Sequence, residues 1–227
     1  MPVVEFFGLP GVGKSTICKS TVDLLRSKGH IVSVRDDLES WKADLTSKDR
    51  FSIRLLSLIH VILNLDIFLL FLLTLKPFEV SNITRFGSFF SRQIYLSRFV
   101  SNSNSEFIIL EQGSAQEIWS LSISSFQSRL ITRLVKRINS IDSFIYVYAP
   151  LEVVVRRIVT RAHGKSRFDV KEKEEAYFLL AGKEGIFDRF KAMLPGRFLM
   201  IESVDAVDAV SERIVNFIAK DSSPKGV

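Results

Sequence analysis

The residues at positions 8–15 have the types and spacing of a phosphate-binding loop. They read Gly8-Leu9-Pro10-Gly11-Val12-Gly13-Lys14-Ser15 and match G-x-x-x-x-G-K-[ST] at every fixed position. In such a loop the glycines let backbone N–H groups approach phosphate oxygens, the lysine reaches the outer phosphates, and the hydroxyl can hold Mg²⁺. The sequence therefore predicts a nucleoside triphosphate site, formed by Gly8, Gly11, Val12, Gly13, Lys14, Ser15 and Thr16.

The segments on either side of this loop fit the same interpretation. Residues 3–7 are typical of a strand, and residues 16–28 have the apolar spacing of a helix that ends before Gly29. The unpaired N–H groups at the start of that helix are expected to point at the phosphates.

Five short apolar runs, separated by helical stretches, predict a parallel sheet flanked by helices. They cover residues 3–7, 31–35, 107–110, 144–148 and 198–201. The 227 residues fit one domain of ordinary size. The Ser, Pro and Gly content of residues 221–227 predicts a frayed tail. The predicted fold class is α/β, with a single domain over residues 1–227.

Acidic residues follow two of these strands, at the edge where parallel sheets bind ligands. Glu111 follows the third strand and is expected to serve Mg²⁺ together with Ser15, usually through water. Asp36 and Asp37 follow the second strand, and either could accept a proton from an attacking hydroxyl or position the acceptor. The alternative is that one of them is the N-cap of the next helix, where the helix dipole favours acidic side chains.

A basic helix follows the fourth strand. Arg157 and Arg161 lie four residues apart on one flank of its apolar stripe, and Arg167 lies beyond a break at Gly164. Planar guanidinium groups can bind phosphate through two parallel hydrogen bonds. The three arginines are therefore candidates for phosphate contacts, and a solvated basic face is the alternative.

Residues 55–75 form the one segment that argues for a membrane, because it is about long enough to cross a bilayer. His60, Asn64 and Asp66 near its middle argue against a span, since a charge at the bilayer centre costs about 2.5–3.5 kcal/mol. A span would also split the sheet between two compartments. We therefore expect no stable membrane span, but a helix or helix pair buried in the domain or in a homodimer contact. Contact with a membrane surface and an apolar substrate pocket are the remaining alternatives.

Charge and cysteine content restrict the partners and the compartment. The formal net charge is +6, yet the chain has no run of like charges and no basic–aromatic stripe typical of nucleic-acid binding. Cys18 is the only cysteine, which excludes an intramolecular disulfide. No signal-peptide pattern precedes the first strand. These features favour a cytoplasmic protein that does not bind nucleic acid.

Taken in order, these features resemble the P-loop nucleoside and nucleotide kinases, nearest the thymidylate kinase-like branch. The shared features are the phosphate loop, an acidic turn after the second strand, Glu111 after the third, and an R-x-x-x-R helix after the fourth that leads to a short basic lid. The resemblance covers nearly the whole chain, although the phosphate loop is the specific part.

The resemblance implies a three-layer fold with a five-stranded parallel sheet in the order 2-3-1-4-5, a helical acceptor-binding region over about residues 38–105, and a lid over about residues 161–170. It implies ATP with Mg²⁺ as the donor and a nucleoside or nucleoside monophosphate as the acceptor. Lys14 would contact the β- and γ-phosphates, and Ser15 and Glu111 would serve Mg²⁺. The candidates for stabilising charge on the moving phosphoryl group are Arg157, Arg161 and Arg167.

Two departures from the family leave the acceptor open. Gln112 stands where those kinases have an acceptor-binding arginine, and the turn at Arg35 lacks their Glu-Pro element. A kinase of another small metabolite, an antibiotic or a lipid is therefore an alternative, as is an ATP-binding regulatory or assembly protein. Arg85 and Arg92 could reach an acceptor phosphate from one helix face, while neighbouring aromatic residues could fix that helix by packing alone.

Overall fold

The computed structural model describes residues 1–74, 80–124, 128–138, 140–160, 177, 180, 181 and 189–220. The strands in these ranges are β1 (Val3–Phe7), β2 (Val32–Val34), β3 (Phe107–Leu110), β4 (Ser143–Tyr148) and β5 (Arg197–Glu202). The helices are α1 (Lys14–Ser27), α2 (Arg35–Asp44), α3 (Ser47–Leu63), α4 (Leu65–Thr74), α5 (Val80–Asn102), α6 (Ser114–Ser124), α7 (Ser128–Val135), α8 (Leu151–Val159) and α9 (Val207–Ala219). The lid and the tail expected at residues 161–170 and 221–227 lie outside the described residues.

The five strands form one parallel sheet in the order β2-β3-β1-β4-β5, which confirms the predicted α/β fold and strand order. The central strand is β1, where Val4 pairs with Ile109 of β3 and with Ser143 of β4. Every residue of β1 and β3 is buried, as expected for strands covered by helices on both faces. The phosphate loop therefore leaves the sheet at the middle of its carboxyl edge.

Aromatic packing fixes β1 against its neighbours. The ring of Phe7 lies 5.3 Å from that of Tyr146 in β4 and 6.1 Å from that of Phe198 in β5. The ring of Phe190 also lies 5.8 Å from Phe7 and is fully buried. These contacts hold the end of β1, and with it the start of the phosphate loop, in a rigid apolar environment.

The first helix begins earlier than the sequence predicts. We expected residues 16–28, and α1 runs over Lys14–Ser27 because Gly13 adopts a left-handed conformation and serves as its N-cap. Cys18 is buried on this helix. The early start places Lys14 and Ser15 in the first helical turn, beside the loop.

The second strand is shorter than predicted, and a helix follows it directly. We expected a strand over residues 31–35, but β2 ends at Val34 and α2 begins at Arg35. The side chain of Asp37 explains this early start, because its Oδ2 accepts a hydrogen bond from the backbone N–H of Val34 at 2.7 Å. The N-cap is therefore Val34, and the alternative of an N-cap at Asp36 or Asp37 is wrong. Both acids lie in the first turn of α2, as that alternative also predicted, and the expected turn is part of a helix.

The apolar segment forms the predicted helix pair, with the break at Asn64 between α3 and α4. Ile53 of α3 and Ile67 of α4 are buried, so one side of each helix packs against the domain. Among the side chains of this pair that the structure describes, eight large apolar ones are exposed, namely Phe51, Leu55, Leu58, Ile59, Ile62, Leu63, Leu65 and Leu69. The expectation of burial within the domain is wrong for this outer face, because α3 and α4 each pack against the domain with one side alone. The alternative of burial in a homodimer contact stays a prediction.

The polar residues within this segment have partners on the protein. Asp66 forms an ion pair with Arg133 of α7, and the side-chain amide of Asn64 donates to the carbonyl oxygen of His60 at 2.6 Å. Among the helices that the structure describes, none combines the length and the apolarity needed to cross a bilayer.

Asp142 joins the starts of three strands. Its carboxylate accepts a hydrogen bond from Val3 N at 2.8 Å, and its own N–H donates to Val3 O at 2.9 Å. Its carbonyl oxygen accepts from Arg197 N at 3.0 Å. Gly196 has a φ of 86° and lies so close to Asp142 that a Cβ on it would be 2.6 Å from the backbone carbonyl oxygen of Asp142.

We expect Gly196→Ala to lower the free energy of unfolding more than Gly29→Ala does. Gly29 has almost the same φ, 88°, but a Cβ added there would meet no heavy atom within 4 Å. Both variants strain the backbone, and only Gly196→Ala adds a clash with a hydrogen-bonded carbonyl, which costs about 1–3 kcal/mol more. Urea denaturation of both variants measures the difference, and equal losses would contradict this account.

Candidate active site at the phosphate loop

The phosphate loop connects β1 to α1 and needs glycine at its three glycine positions. The φ angles are 149° at Gly8, 83° at Gly11 and 96° at Gly13. A Cβ on Gly8 would lie 2.2 Å from the carbonyl oxygen of Val147 in β4, and one on Gly11 would lie 3.0 Å from Ile158 of α8. Glycine is therefore required for the backbone conformation and for close approach to β4 and α8.

Lys14 lies against the loop. Its side chain is buried, and Nζ donates to the carbonyl oxygens of Gly8 at 3.0 Å and Leu9 at 2.8 Å. This places the ammonium inside the curve of the motif, where the sequence predicts contact with the outer phosphates. The phosphate contact itself stays a prediction.

The two predicted metal ligands meet in the structure. The hydroxyl of Ser15 donates a hydrogen bond to Oε1 of Glu111. They come together because β1 and β3 are neighbours, so the residue that follows β3 reaches the first turn of α1. One hydroxyl and one carboxylate are hard oxygen ligands that suit Mg²⁺, which proteins usually bind with additional phosphate oxygens. The donor set fits the metal, and metal binding stays a prediction.

Arg157 braces the loop from the side of α8. Its Nη1 donates to the carbonyl oxygen of Val12 at 3.1 Å and to Oγ of Ser203 at 3.0 Å. It therefore ties the loop to the turn between β5 and α9. A cavity beside this contact is lined by Gly11, Gly13, Thr16, Ile17, Arg157, Thr160, Ser203 and Val207. The guanidinium thus borders a recess next to the loop, and its predicted role in phosphoryl transfer stays a prediction.

A second recess lies on the other side of the site, between α2, α5 and the end of β3. We call it the acceptor cleft, and it is lined by Arg35, Leu38, Glu39, Lys42, Arg92, Leu96, Leu110, Gln112, Gly113 and Ser114. Lys42 pairs with Glu39 along α2, three residues away, at 2.9 Å, and Arg92 pairs with Glu117 at 2.9 Å. The cleft combines charged and apolar side chains, and its free volume of about 10 Å³ is room for about one water molecule.

The structure separates the predicted acidic residues of α2 from this cleft. Asp37 accepts a hydrogen bond from the backbone N–H of Val34, Asp36 is exposed, and the lining residues of α2 are instead Arg35, Leu38, Glu39 and Lys42. Because α2 starts at Arg35, a rotation of about 100° per residue turns Glu39 to the cleft beside Arg35. The catalytic role of Asp36 or Asp37 stays a prediction, and Glu39 is a carboxylate at the cleft that sequence reasoning missed.

The remaining candidate arginines divide into two groups. Arg92 lines the acceptor cleft, and its contact with an acceptor phosphate stays a prediction. The side chain of Arg85, and both Arg161 and Arg167, lie outside the described part of the structure. Gln112, which stands in place of an arginine, also lines the cleft.

Sequence reasoning also missed Glu5. It is the one charged residue in β1 and is fully buried. Burial raises the pKa of its carboxyl to about 7, while hydrogen bonds from the backbone N–H groups of Gln116, Ala115 and Gly113 oppose this rise. An isolated carboxylate within an apolar strand next to a phosphate loop is the signal that could have identified it.

No protein-family model and no curated protein sequence matches the chain. A deoxyadenosine kinase from M. mycoides, with the products dCMP and a flexible dCDP bound, matches at TM-score 0.53 and 15% identity, covering 96% of this chain and 99% of its own. A shikimate kinase from Bacteroides thetaiotaomicron matches at TM-score 0.51 and 12% identity, covering 96% and 98%.

Both matches extend over nearly all of both chains. The chain has the P-loop kinase fold. The predicted resemblance to P-loop nucleoside and nucleotide kinases is thereby confirmed for the fold, and the thymidylate kinase-like branch stays a prediction. Within this P-loop kinase fold, the loop, the Ser15–Glu111 contact and the two recesses lie at the carboxyl edge of the sheet, where open α/β sheets bind ligands.

The pKa of Glu5 predicts a pH-dependent contribution to stability. The folded carboxyl holds its proton up to about pH 7, whereas an unfolded chain releases it near 4.5. The Glu5 carboxyl therefore adds up to about 3 kcal/mol to the free energy of unfolding. This contribution is full below about pH 4.5 and is lost as the pH rises through 7. We expect wild type to lose stability relative to Glu5→Gln between about pH 4.5 and 8, as measured by urea denaturation. A difference that does not change with pH would contradict the shift.

Proposed function

We propose that this chain is an ATP-dependent phosphotransferase that moves the γ-phosphoryl group of ATP·Mg²⁺ to a small-molecule acceptor. The observation that supports this most directly is the position of the phosphate loop between two recesses. Gly13 borders the cavity beside Arg157, while Ser15 is bonded to Glu111, the residue next to Gln112 in the acceptor cleft. A donor and an acceptor placed in these recesses would meet at the loop.

Each part of the site then has a task. The cavity beside Arg157 takes the nucleoside of the donor, and the loop amides and Lys14 hold its phosphates. Ser15 and Glu111 are the residues that would hold Mg²⁺, which neutralises charge on the β- and γ-phosphates. In this scheme the acceptor binds at the acceptor cleft, whose side chains must move apart to admit it because the free volume there is about 10 Å³.

Catalysis in this scheme is positioning together with charge stabilisation, since phosphoryl transfer needs little covalent help from a protein. Lys14 supplies positive charge at the outer phosphates, and Arg157, Arg161 and Arg167 are the proposed sources of more. We propose that Glu39 accepts the proton of an attacking hydroxyl or orients it, because Glu39 lines the acceptor cleft and Asp36 and Asp37 do not.

The acceptor that we propose is a nucleoside or a nucleoside monophosphate. The structurally similar deoxyadenosine kinase was solved with dCMP and dCDP, and the cleft combines paired charges with the apolar side chains of Leu38 and Leu96. The similar shikimate kinase and the presence of Gln112 keep a kinase of another small metabolite, an antibiotic or a lipid as the alternative. An ATP-binding regulatory or assembly protein is the second alternative.

Acceptor-stimulated release of ADP tests the proposal. A screen of nucleosides, nucleoside monophosphates, amino-sugar antibiotics and polyprenols, each with ATP and Mg²⁺, should give at least one acceptor that raises ADP release and receives the phosphoryl group. Saturable ATP binding with turnover that no acceptor changes would support the regulatory alternative. The absence of saturable ATP or GTP binding by folded protein would overturn the whole assignment.

We expect Lys14→Ala to reduce turnover by about 100-fold or more, because a preorganised charge at the phosphates is removed. Lys19→Ala is the matched control, since Lys19 is an exposed lysine on the same helix. It loses the same charge and should keep the wild-type rate. Steady-state ADP production by the two folded variants measures the effect, and a near-wild-type rate for Lys14→Ala would remove the proposed role of this lysine.

We also propose that the exposed apolar face of α3 and α4 is a contact between two copies of the chain. Its exposed large side chains include Leu58, Ile62 and Leu63, which are 56%, 59% and 73% exposed. Contiguous apolar surface of this kind on a folded protein is typical of an interaction site.

Light scattering coupled to size exclusion tests this contact. Wild type should have the mass of a dimer, and Leu58→Glu combined with Ile62→Glu should give a monomer, because burying two carboxylates in the contact is unfavourable. Ile31→Glu is the control, since Ile31 is 58% exposed and lies outside α3 and α4. A monomeric wild type would contradict the proposal.

A further inference from the structure

The carboxyl group of Glu5 takes the place of an N-cap for α6. The helix follows Gly113, which has no side chain with which to accept hydrogen bonds. Oε1 of Glu5 accepts from the backbone N–H groups of Gly113 at 3.0 Å and Gln116 at 2.8 Å, and Oε2 accepts from that of Ala115 at 3.0 Å. A residue from the central strand thus satisfies three amides that a helix start normally leaves unpaired.

Gly113 makes this arrangement possible. A Cβ on Gly113 would lie 2.6 Å from Oε2 of Glu5, although the backbone of Gly113 does not have a positive φ. Glycine is thus needed here for space and not for conformation. Because the three hydrogen bonds hold the Glu5 carboxylate, it has little freedom to move away from an added methyl group.

A second contact extends this arrangement to the phosphate loop. The side chain of Gln116, whose backbone N–H is bonded to Glu5, accepts a hydrogen bond from the backbone N–H of Gly8 at 3.0 Å. In the other direction along the chain, Glu111 lies two residues before Gly113 and accepts from the hydroxyl of Ser15. Both ends of the loop are therefore connected to the turn that Glu5 holds.

We propose that Glu5 is a positioning residue that sets the affinity of the site for Mg²⁺. By fixing the amides of Gly113, Ala115 and Gln116, it holds the turn after β3 so that Glu111 stays on Ser15. Glu5 does not touch the metal or the nucleotide in this proposal, which rests on the proposed ATP·Mg²⁺ site. Residues that orient metal ligands typically change metal affinity or activity by about 10- to 100-fold when they are mutated.

The test is the Mg²⁺ dependence of ATP binding, measured by calorimetry at about pH 8, where the Glu5 carboxyl is ionised, across a series of Mg²⁺ concentrations. Glu5→Gln replaces one carboxylate oxygen by an amide NH₂, which cannot accept the hydrogen bond from Ala115. Gly113→Ala disturbs the same contact from the other side. For both variants we expect the half-saturating Mg²⁺ concentration to rise by about tenfold or more, with a smaller change in ATP affinity at saturating Mg²⁺.

Val4→Ala is the control for a loss of stability alone. Val4 is fully buried in the same strand and has no role in the proposed site, so this variant should lower the denaturation midpoint without changing the Mg²⁺ dependence. If Glu5→Gln does not fold, Gly113→Ala decides the test.

The outcomes separate the two proposals. Wild-type protein that does not bind ATP with Mg²⁺ removes the proposed function, and this inference with it. Wild-type binding with an unchanged Mg²⁺ dependence in folded Glu5→Gln or Gly113→Ala overturns the inference and leaves the proposed function intact. An equal shift in Val4→Ala also overturns it, since the effect would then follow stability and not the position of the turn.

Discussion

The central position of β1 in the sheet is the constraint on which the site depends. Because β1 lies between β3 and β4, the loop that follows it meets the residue after β3 on one side and α8 on the other. Glu111, which follows β3, accepts a hydrogen bond from the hydroxyl of Ser15. Arg157 of α8 donates a hydrogen bond to the carbonyl oxygen of Val12. The close approach of Gly8 to the end of β4 leaves the loop little freedom to lie elsewhere. A different strand order would separate these groups even if every residue were kept.

The parts of the fold that follow from short, regular patterns could be predicted from the sequence. The phosphate loop has fixed residue types, and strands such as β3 are continuous apolar runs, so both the sheet and the Ser15–Glu111 pair were expected. The start of α2 was not, because it depends on one contact between Asp37 and the backbone of Val34. Apolar composition predicted the α3–α4 pair, but composition cannot say which side of a helix faces its own domain.

The missed residues, Glu5 and Glu39, have a common explanation. Their surroundings are formed by segments distant in sequence, since Glu5 meets the start of α6 at Gly113, 108 positions away, and Glu39 faces the end of β3 across the acceptor cleft. A carboxylate in a central strand can be recognised from the sequence as unusual, whereas its partners become visible only once the strands are in register. The same holds for Arg157, whose position in an R-x-x-x-R pattern predicts a phosphate contact but not its hydrogen bond to Ser203.

The contact between Arg157 and Ser203 has a consequence for the synthesis of the protein. One partner of this arginine, Val12, lies in the loop near the N-terminus, and the other, Ser203, directly follows β5. A nascent chain that ends before residue 203 has the complete motif but lacks the hydrogen bond that ties Arg157 to Ser203. The phosphate loop is therefore expected to reach its final position late in synthesis, when β5 has emerged from the ribosome and joined the sheet.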